Sequence, residues 1–149
     1  MGKVSDQLTK ADLYSYISKQ QYVYFATVLE KQPKLRPMTL FFDKGRFFFV
    51  TFRNDAKIIQ IKSNKWCEVL LPLQDESGSH GYLRMSGFSM ICSDAYTRQE
   101  ATYFCYFFDD FFDGADDPSF CLLELFFDSF ELLRPGESHS IKVSISNQK

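Results

Sequence analysis

Three side chains in the stretch from Leu35 to Ser63 have the chemistry to hold an anion. Arg36 offers a bidentate guanidinium fork, Thr51 a hydroxyl donor and Lys57 a point charge, the donor types that grip phosphate or carboxylate oxygens. They meet only if the chain runs locally as strand, tight turn, strand, polar corner and helix. Antiparallel pairing across Lys44-Gly45 sets residue 36 opposite the region of residue 53. The following helix N-terminus adds amides and a favourable dipole to that corner. The alternative is that Arg36 and Lys57 are ordinary surface cations paired with Asp or Glu, which contribute little.

The flanking sequence predicts elements able to position these groups. Gln21 to Glu30 is rich in β-branched and aromatic residues and reads as a first strand. Leu35 to Asp43 reads as the second, with Pro37 marking an edge, a bulge or a place where a ligand replaces the neighbouring strand. The turn Asp43-Lys44-Gly45-Arg46 returns the chain into a third strand through Phe52. Alternation then stops, and Ala56, Ile58, Ile59 and Ile61 take up helical spacing, with Asn54 or Asp55 as the N-cap. Ser5 to Gln20 predicts an amphipathic helix, Trp66 to Leu73 a fourth strand and Gly81 to Cys92 a fifth, with Gly87 at a bulge or close backbone approach. A helix is expected from Ser93 or Asp94 to about Phe107, then an acidic loop from Asp109 to Ser119. One or two further strands follow over Ser119 to Phe127 and Ser129 to Leu133. From Ser138 to Lys149 the tail has weak strand character and is expected to be poorly ordered.

About six strands with short connections and peripheral helices predict a mainly β, antiparallel barrel rather than a parallel α/β sheet. The 149 residues suit a single domain. With a net charge of −2 the chain has no broad basic field, so nucleic acid and anionic membranes are not expected as partners and a small molecule is. No apolar run reaches the length of a membrane span, and MGKVSDQLTK lacks a signal-peptide core, so a cytoplasmic location is expected. Cys67, Cys92, Cys105 and Cys121 lie far apart, and His80 and His139 have no partner at ligand spacing, so no metal site is expected. Asp113-Gly114 lacks the alternating ligands of a calcium loop, and no nucleophile elbow, P-loop or dinucleotide fingerprint occurs. Tyr82, Arg84 and Ser86 alternate onto one strand face, read as a wet barrel face in preference to a substrate pocket. The chain has 17 Phe, many in adjacent pairs that point to both faces of a strand. Both faces of the barrel wall must therefore be covered, by helices or by a second copy, and dimerisation is the expected outcome.

Taken together, FATVLEKQPKLRPMTLFFDKGRFFFVTFRNDAKIIQIKSN, GYLRMSGFSMI and DDPSFCLLELFFDSFELLRPGE resemble, in that order, the pyridoxamine 5′-phosphate oxidase-like superfamily of FMN-binding split barrels. The similarity is greatest to its short stress-protein-like members and spans about Tyr22 to Glu137. It implies a six-stranded antiparallel split β-barrel that forms a homodimer with FMN at the subunit interface. By the same resemblance Arg36 and Lys57 are phosphate ligands, and Val50 and Thr51 lie with them, the Thr51 hydroxyl near the phosphate end. Pro37, Met38, Thr39 and Leu40 run along the isoalloxazine ring. The implied activity is oxidoreduction of an unknown small substrate through the flavin; the alternatives are a non-catalytic flavin-binding stress protein, or a related barrel using deazaflavin or haem.

Three departures from the family pattern bear on function. Members with the full phosphate grip usually carry Ser, and the oxidases Ser-Arg, where this chain has Asp55-Ala56. A carboxylate there repels phosphate unless it turns to cap the helix. Tyr82 stands where the oxidases generally place Gln, and nothing after Arg134 resembles their Arg-x-His substrate segment, which argues against pyridoxamine phosphate oxidation.

Overall fold

A computed structural model describes residues 8–145. Its strands run β1 (Gln20–Leu29), β2 (Gln32–Asp43), β3 (Arg46–Phe52), β4 (Trp66–Gln74), β5 (His80–Ile91), β6 (Phe120–Leu133) and β7 (Ile141–Ser144). All pairings are antiparallel, in the order β3-β2-β1-β4-β5-β6-β7, and β3 also pairs with β6. The first six strands thus close into a ring, the expected split barrel, with β7 added to the far end of β6. Four helices are described: α1 (Lys10–Tyr14), α2 (Ala56–Ser63), α3 (Ala95–Phe104) and α4 (Phe108–Phe111).

Period-two alternation sorts the side chains into two cores. Leu40, Phe47, Phe49, Val69, Met85 and Leu123 fill the barrel. Phe41, Phe48, Val50, Phe120 and Leu122 point outward and are covered by Ala101, Cys105, Phe108 and Phe112 of the α3–α4 segment. Arg46 pins this cover: it donates to both Glu124 oxygens (2.8 and 2.7 Å) and to Thr97 on α3 (3.3 Å).

Several boundaries differ from expectation. The described part of the first helix is only α1, closed at its start by a reciprocal Thr9–Asp12 capping box; residues 5–7 lie outside the described residues. Past it, the Gln21 side chain binds both backbone groups of Ser18 and turns the chain into β1. The helix expected to reach Phe107 breaks at Cys105, which is extended. Buried Ala101, Cys105, Phe108 and Phe112 have the spacing of one helix, but Ala101 lies in α3 and Phe108 in α4, with Cys105 and Phe112 as their extended C-caps. The last strand is continuous, because Asp128 is absorbed as a bulge: Ser86 pairs with Ser129 and Gly87 with Phe127. A Cβ on Gly87 would lie 1.9 Å from the Phe126 carbonyl oxygen, so glycine is required there. The tail is a strand over Ile141–Ser144 and not disordered there, since β6 offers it a free edge at Ser129 to Leu132; residues 146–149 lie outside the described residues.

Candidate functional site

The cleft arises where β2 and β3 part. Lys44 (φ 51°) and Gly45 (φ 78°) make a two-residue turn with both central residues in the left-handed region. The ladder it starts runs only from Asp43↔Arg46 to Phe41↔Phe48. Beyond it, β3 keeps its pairing with β6 and β2 its pairing with β1, so the two strands diverge and residue 36 does not come opposite residue 53 as the sequence predicts.

Alternation decides which backbone groups face this gap. Phe42 donates its amide to Lys19 O (2.9 Å), so even positions of β2 turn toward β1 and the odd ones, Pro37 and Thr39, turn toward the gap. Arg53 donates to Ser119 O (2.8 Å), which turns odd positions of β3 toward β6 and leaves Val50 facing the gap. Pro37 therefore stands where the missing partner strand would have needed its N–H. The cleft encloses about 240 Å³ and is lined by Pro37, Met38, Thr39, Val50, Thr51 and Lys57 of the residues singled out from sequence. Leu40 is fully buried in the barrel, and as an even position its backbone turns toward β1, so it does not line the cleft.

Lys57 closes one end. It sits in the first turn of α2, is only 7% exposed, and donates from Nζ to Thr51 Oγ1 at 3.0 Å. Its Nζ also lies 2.8 Å from Asp55 Oδ1, the same oxygen that accepts from the Lys57 amide at 2.9 Å. Asp55 is thus the N-cap of α2 and the counter-ion of Lys57 at once. Burial raises its pKa, but the hydrogen bonds from Lys57 and the charges of Lys57 and Arg36 outweigh this and hold it below the ordinary carboxylate range.

Arg36 is not brought into the cleft. Its guanidinium donates to Phe25 O (3.2 Å), Thr27 Oγ1 (3.0 Å) and Gln60 Oε1 (2.8 Å) and lies over the Phe25 ring with 5.5 Å to its centroid. Thr27 also donates to Gln60 at 2.6 Å. The side chain belongs to an even β2 position, which points it toward the barrel end under α2, where these acceptors wait.

The opposite wall is aromatic and was not legible as such. Phe52, Phe107, Phe111 and Phe112 line it, while Tyr22 of β1, paired with Thr39, lines the β2 side. Phe52 packs against Phe111 and Phe112 with ring centroids 5.8 and 5.0 Å apart. The available signal was the pair of Phe doublets at 107–108 and 111–112, which the acidic character of the following loop obscured. Elsewhere, burial pushes the Cys67 thiol to about 12 and that of Cys105 to about 11, so neither is a thiolate nucleophile at neutral pH. The described residues contain no group of His, Cys, Asp and Glu arranged to hold a metal, and no described helix is long and apolar enough to cross a membrane.

Beside the cleft lies a bare sheet face. The outward residues of β1, β2, β4 and β5 include Tyr22 (62% exposed), Tyr24 and Leu35 (69% exposed), around a groove of about 400 Å³ with Leu70, Glu68 and Arg84. Arg84 is paired there with Glu68 (2.9 Å) and Glu131 (3.3 Å), Ser86 donates to Glu68, and Tyr82 donates to Glu131. These three residues share the outer face of β5, half-buried, and Arg84 also lines the groove. Tyr22 belongs both to this face and to the cleft, so whatever covers the one meets the other. Chemically, the cleft suits a flat apolar ring edged by backbone donors and acceptors, with a polar tail at the Lys57 end.

No protein-family model matches the chain. Among curated proteins, general stress protein 26 of Bacillus subtilis is 26% identical over 120 residues, 80% of this chain and 84% of that protein. A solved Clostridium acetobutylicum protein related to general stress protein 26, of the pyridoxinephosphate oxidase family, is 18% identical, with 91% of each chain covered and a TM-score of 0.64. A FAD-binding protein of Mesorhizobium loti is 9% identical over 83% of this chain and 90% of its own, with a TM-score of 0.66. The structural likenesses establish the fold.

Proposed function

We propose that this chain, which has the split-barrel fold of the pyridoxamine 5′-phosphate oxidase-like superfamily, binds FMN in the β2–β3 cleft as a homodimer and acts as an oxidoreductase on a small substrate. The observation that carries the reading is the gap itself: a strand edge bearing Pro37 and Thr39 faces a second edge at Val50 with no strand between them. The residues present fit the ring of such a cofactor. Pro37 and Thr39 offer an edge with backbone groups for the ring's polar atoms, Met38 lines the cleft beside them, Leu40 supports the strand from within the barrel, and the aromatic wall excludes water. Thr51 and Lys57 face the tail, and Arg36 holds the strand that carries the ring contacts.

The bare face at Tyr22, Tyr24 and Leu35 supports a second copy as the remaining wall, because it runs into the cleft at Tyr22. When bound, the flavin supplies the redox chemistry. This chain's residues bind the ring, orient it and keep water from it. The Mesorhizobium loti neighbour's flavin binding is in keeping with this reading.

The visible spectrum of the purified protein with added FMN tests it. Bands of oxidised flavin at one per subunit are expected, followed by turnover of NADH or NADPH with an acceptor. A colourless protein that takes up no added FMN sinks the proposal, and flavin bound without any turnover removes the enzymatic half of it.

A further inference from the structure

In many anion sites the donors wait unpaired, whereas here one carboxylate already holds them. Asp55 Oδ1 accepts from the Lys57 amide at 2.9 Å and lies 2.8 Å from its Nζ, and that nitrogen's other contact is Thr51 Oγ1 at 3.0 Å. Lys57 is 93% buried by its 7% exposure, so it has little freedom to swing to a new partner. Arg36, the second cation of the region, is spent on the Phe25 carbonyl, Thr27 and Gln60 and does not line the cleft. A phosphomonoester arriving at this end meets a closed ion pair and a capped helix rather than a cationic socket. To bind there it must displace Asp55, break the cap and take over its two donors. The gain from phosphate contacts is then offset by the loss of equivalent contacts to the carboxylate.

We infer that Asp55 is a built-in counter-ion that holds Lys57 at the phosphate end of the cleft, so that the chain selects flavin by its ring and not by its phosphate. This rests on the flavin reading above and sets its specificity: riboflavin and FMN are expected to bind with similar strength. Asp55 is the residue that removes the discrimination, acting through Lys57. Without it, Lys57 Nζ and its amide become available to a ligand oxygen next to the Thr51 hydroxyl.

The test compares wild type with D55N, in which the amide oxygen still caps α2 while the charge is gone. Flavin binding is followed by fluorescence quenching, and inorganic phosphate binding by its effect on thermal unfolding of the flavin-free protein. Wild type is expected to bind FMN and riboflavin within about threefold of each other, since the phosphate gains no net charge-assisted contact. D55N is expected to bind FMN about tenfold more tightly with riboflavin unchanged, the size of one charge-assisted hydrogen bond. Phosphate should raise the unfolding temperature of D55N and not that of wild type, and adding K57M should abolish both gains. Should D55N fail to fold, D55S keeps a capping oxygen and takes its place.

A wild type that already prefers FMN by more than about thirtyfold overturns the inference, because a free cationic socket is then present. So does a D55N that gains neither FMN selectivity nor phosphate binding, even though flavin binding itself stands. If no flavin binds either protein but D55N gains phosphate stabilisation, the counter-ion role holds and the flavin reading falls.

Discussion

Replacing Gln60 with leucine removes the acceptor on which the Arg36 strut depends. Gln60 is 7% exposed, and its Oε1 accepts from Arg36 Nη2 at 2.8 Å and from Thr27 Oγ1 at 2.6 Å. A hydrogen bond to a charged donor contributes about 1.5–3 kcal/mol net and one to a neutral donor about 1 kcal/mol. Arg36 and Thr27 keep their mutual contact at 3.0 Å, and the leucine returns part of the loss as apolar burial worth about 1 kcal/mol. The expected net cost is about 2 kcal/mol, or an unfolding temperature lower by about 4–8 °C in a protein of this size. Urea unfolding at fixed protein concentration measures it, because the stability of the proposed dimer would depend on concentration. The same experiment on R36M and on the double variant completes a cycle. Since the two side chains touch, a coupling of at least about 1 kcal/mol is expected. Additive effects, or a Q60L protein as stable as wild type, would refute Arg36 as a strut.

Two further outcomes follow from the geometry. Leu35 is 69% exposed in the single chain, so L35E costs an isolated subunit no more than about 0.5 kcal/mol, yet it sets a charge in the proposed interface and should turn the dimer into monomers in sedimentation. A variant that stays dimeric at micromolar concentration, or a wild type already monomeric there, contradicts the assignment of this face. G87A places a Cβ 1.9 Å from Phe126 O and 2.9 Å from Phe127 Cα, both backbone atoms unable to yield alone. It should lower stability by about 3 kcal/mol in urea unfolding, and an unchanged midpoint would mean that the bulge at Asp128 moves freely.

Much of this site was legible because local signals agreed. The Lys44-Gly45 turn, the β-rich run through Phe52 and the Asp55 cap each rest on neighbours in sequence, and all fall where expected. What was not legible depends on competition between distant partners. Nothing near residue 49 says that β3 will leave β2 for β6, yet that choice opens the cleft and keeps Arg36 away from Lys57. The direction of Arg36 likewise depends on Gln60 and Thr27 being ready at the barrel end.

The Phe doublets carry a different lesson about what covers the barrel. Adjacent Phe47, Phe48 and Phe49 require cover on both faces, and the sequence left helices or a second copy as that cover, with dimerisation the expected outcome. In the structure the inner ring positions are filled by Phe47 and Phe49 within the barrel, and Phe48 is sealed from outside by α3 and α4 of the same chain. Their burial is complete without a partner: Phe48 is 1% exposed and Phe49 fully buried. The case for a dimer therefore moves from phenylalanine to tyrosine and leucine. Tyr22, Tyr24 and Leu35 lie outside the cluster that α3 and α4 cover, on the β1–β2 side of the cleft rather than the β3–β6 side. The chain's own aromatic segment, Phe107 to Phe112, walls one flank of the cleft, and the bare face borders the other. In the proposed dimer, a ligand held between β2 and β3 has one wall fixed by folding and the other supplied by association, which ties its affinity to the dimer equilibrium. For that reason L35E should weaken flavin binding as well as dimerisation, although Leu35 itself does not line the cleft.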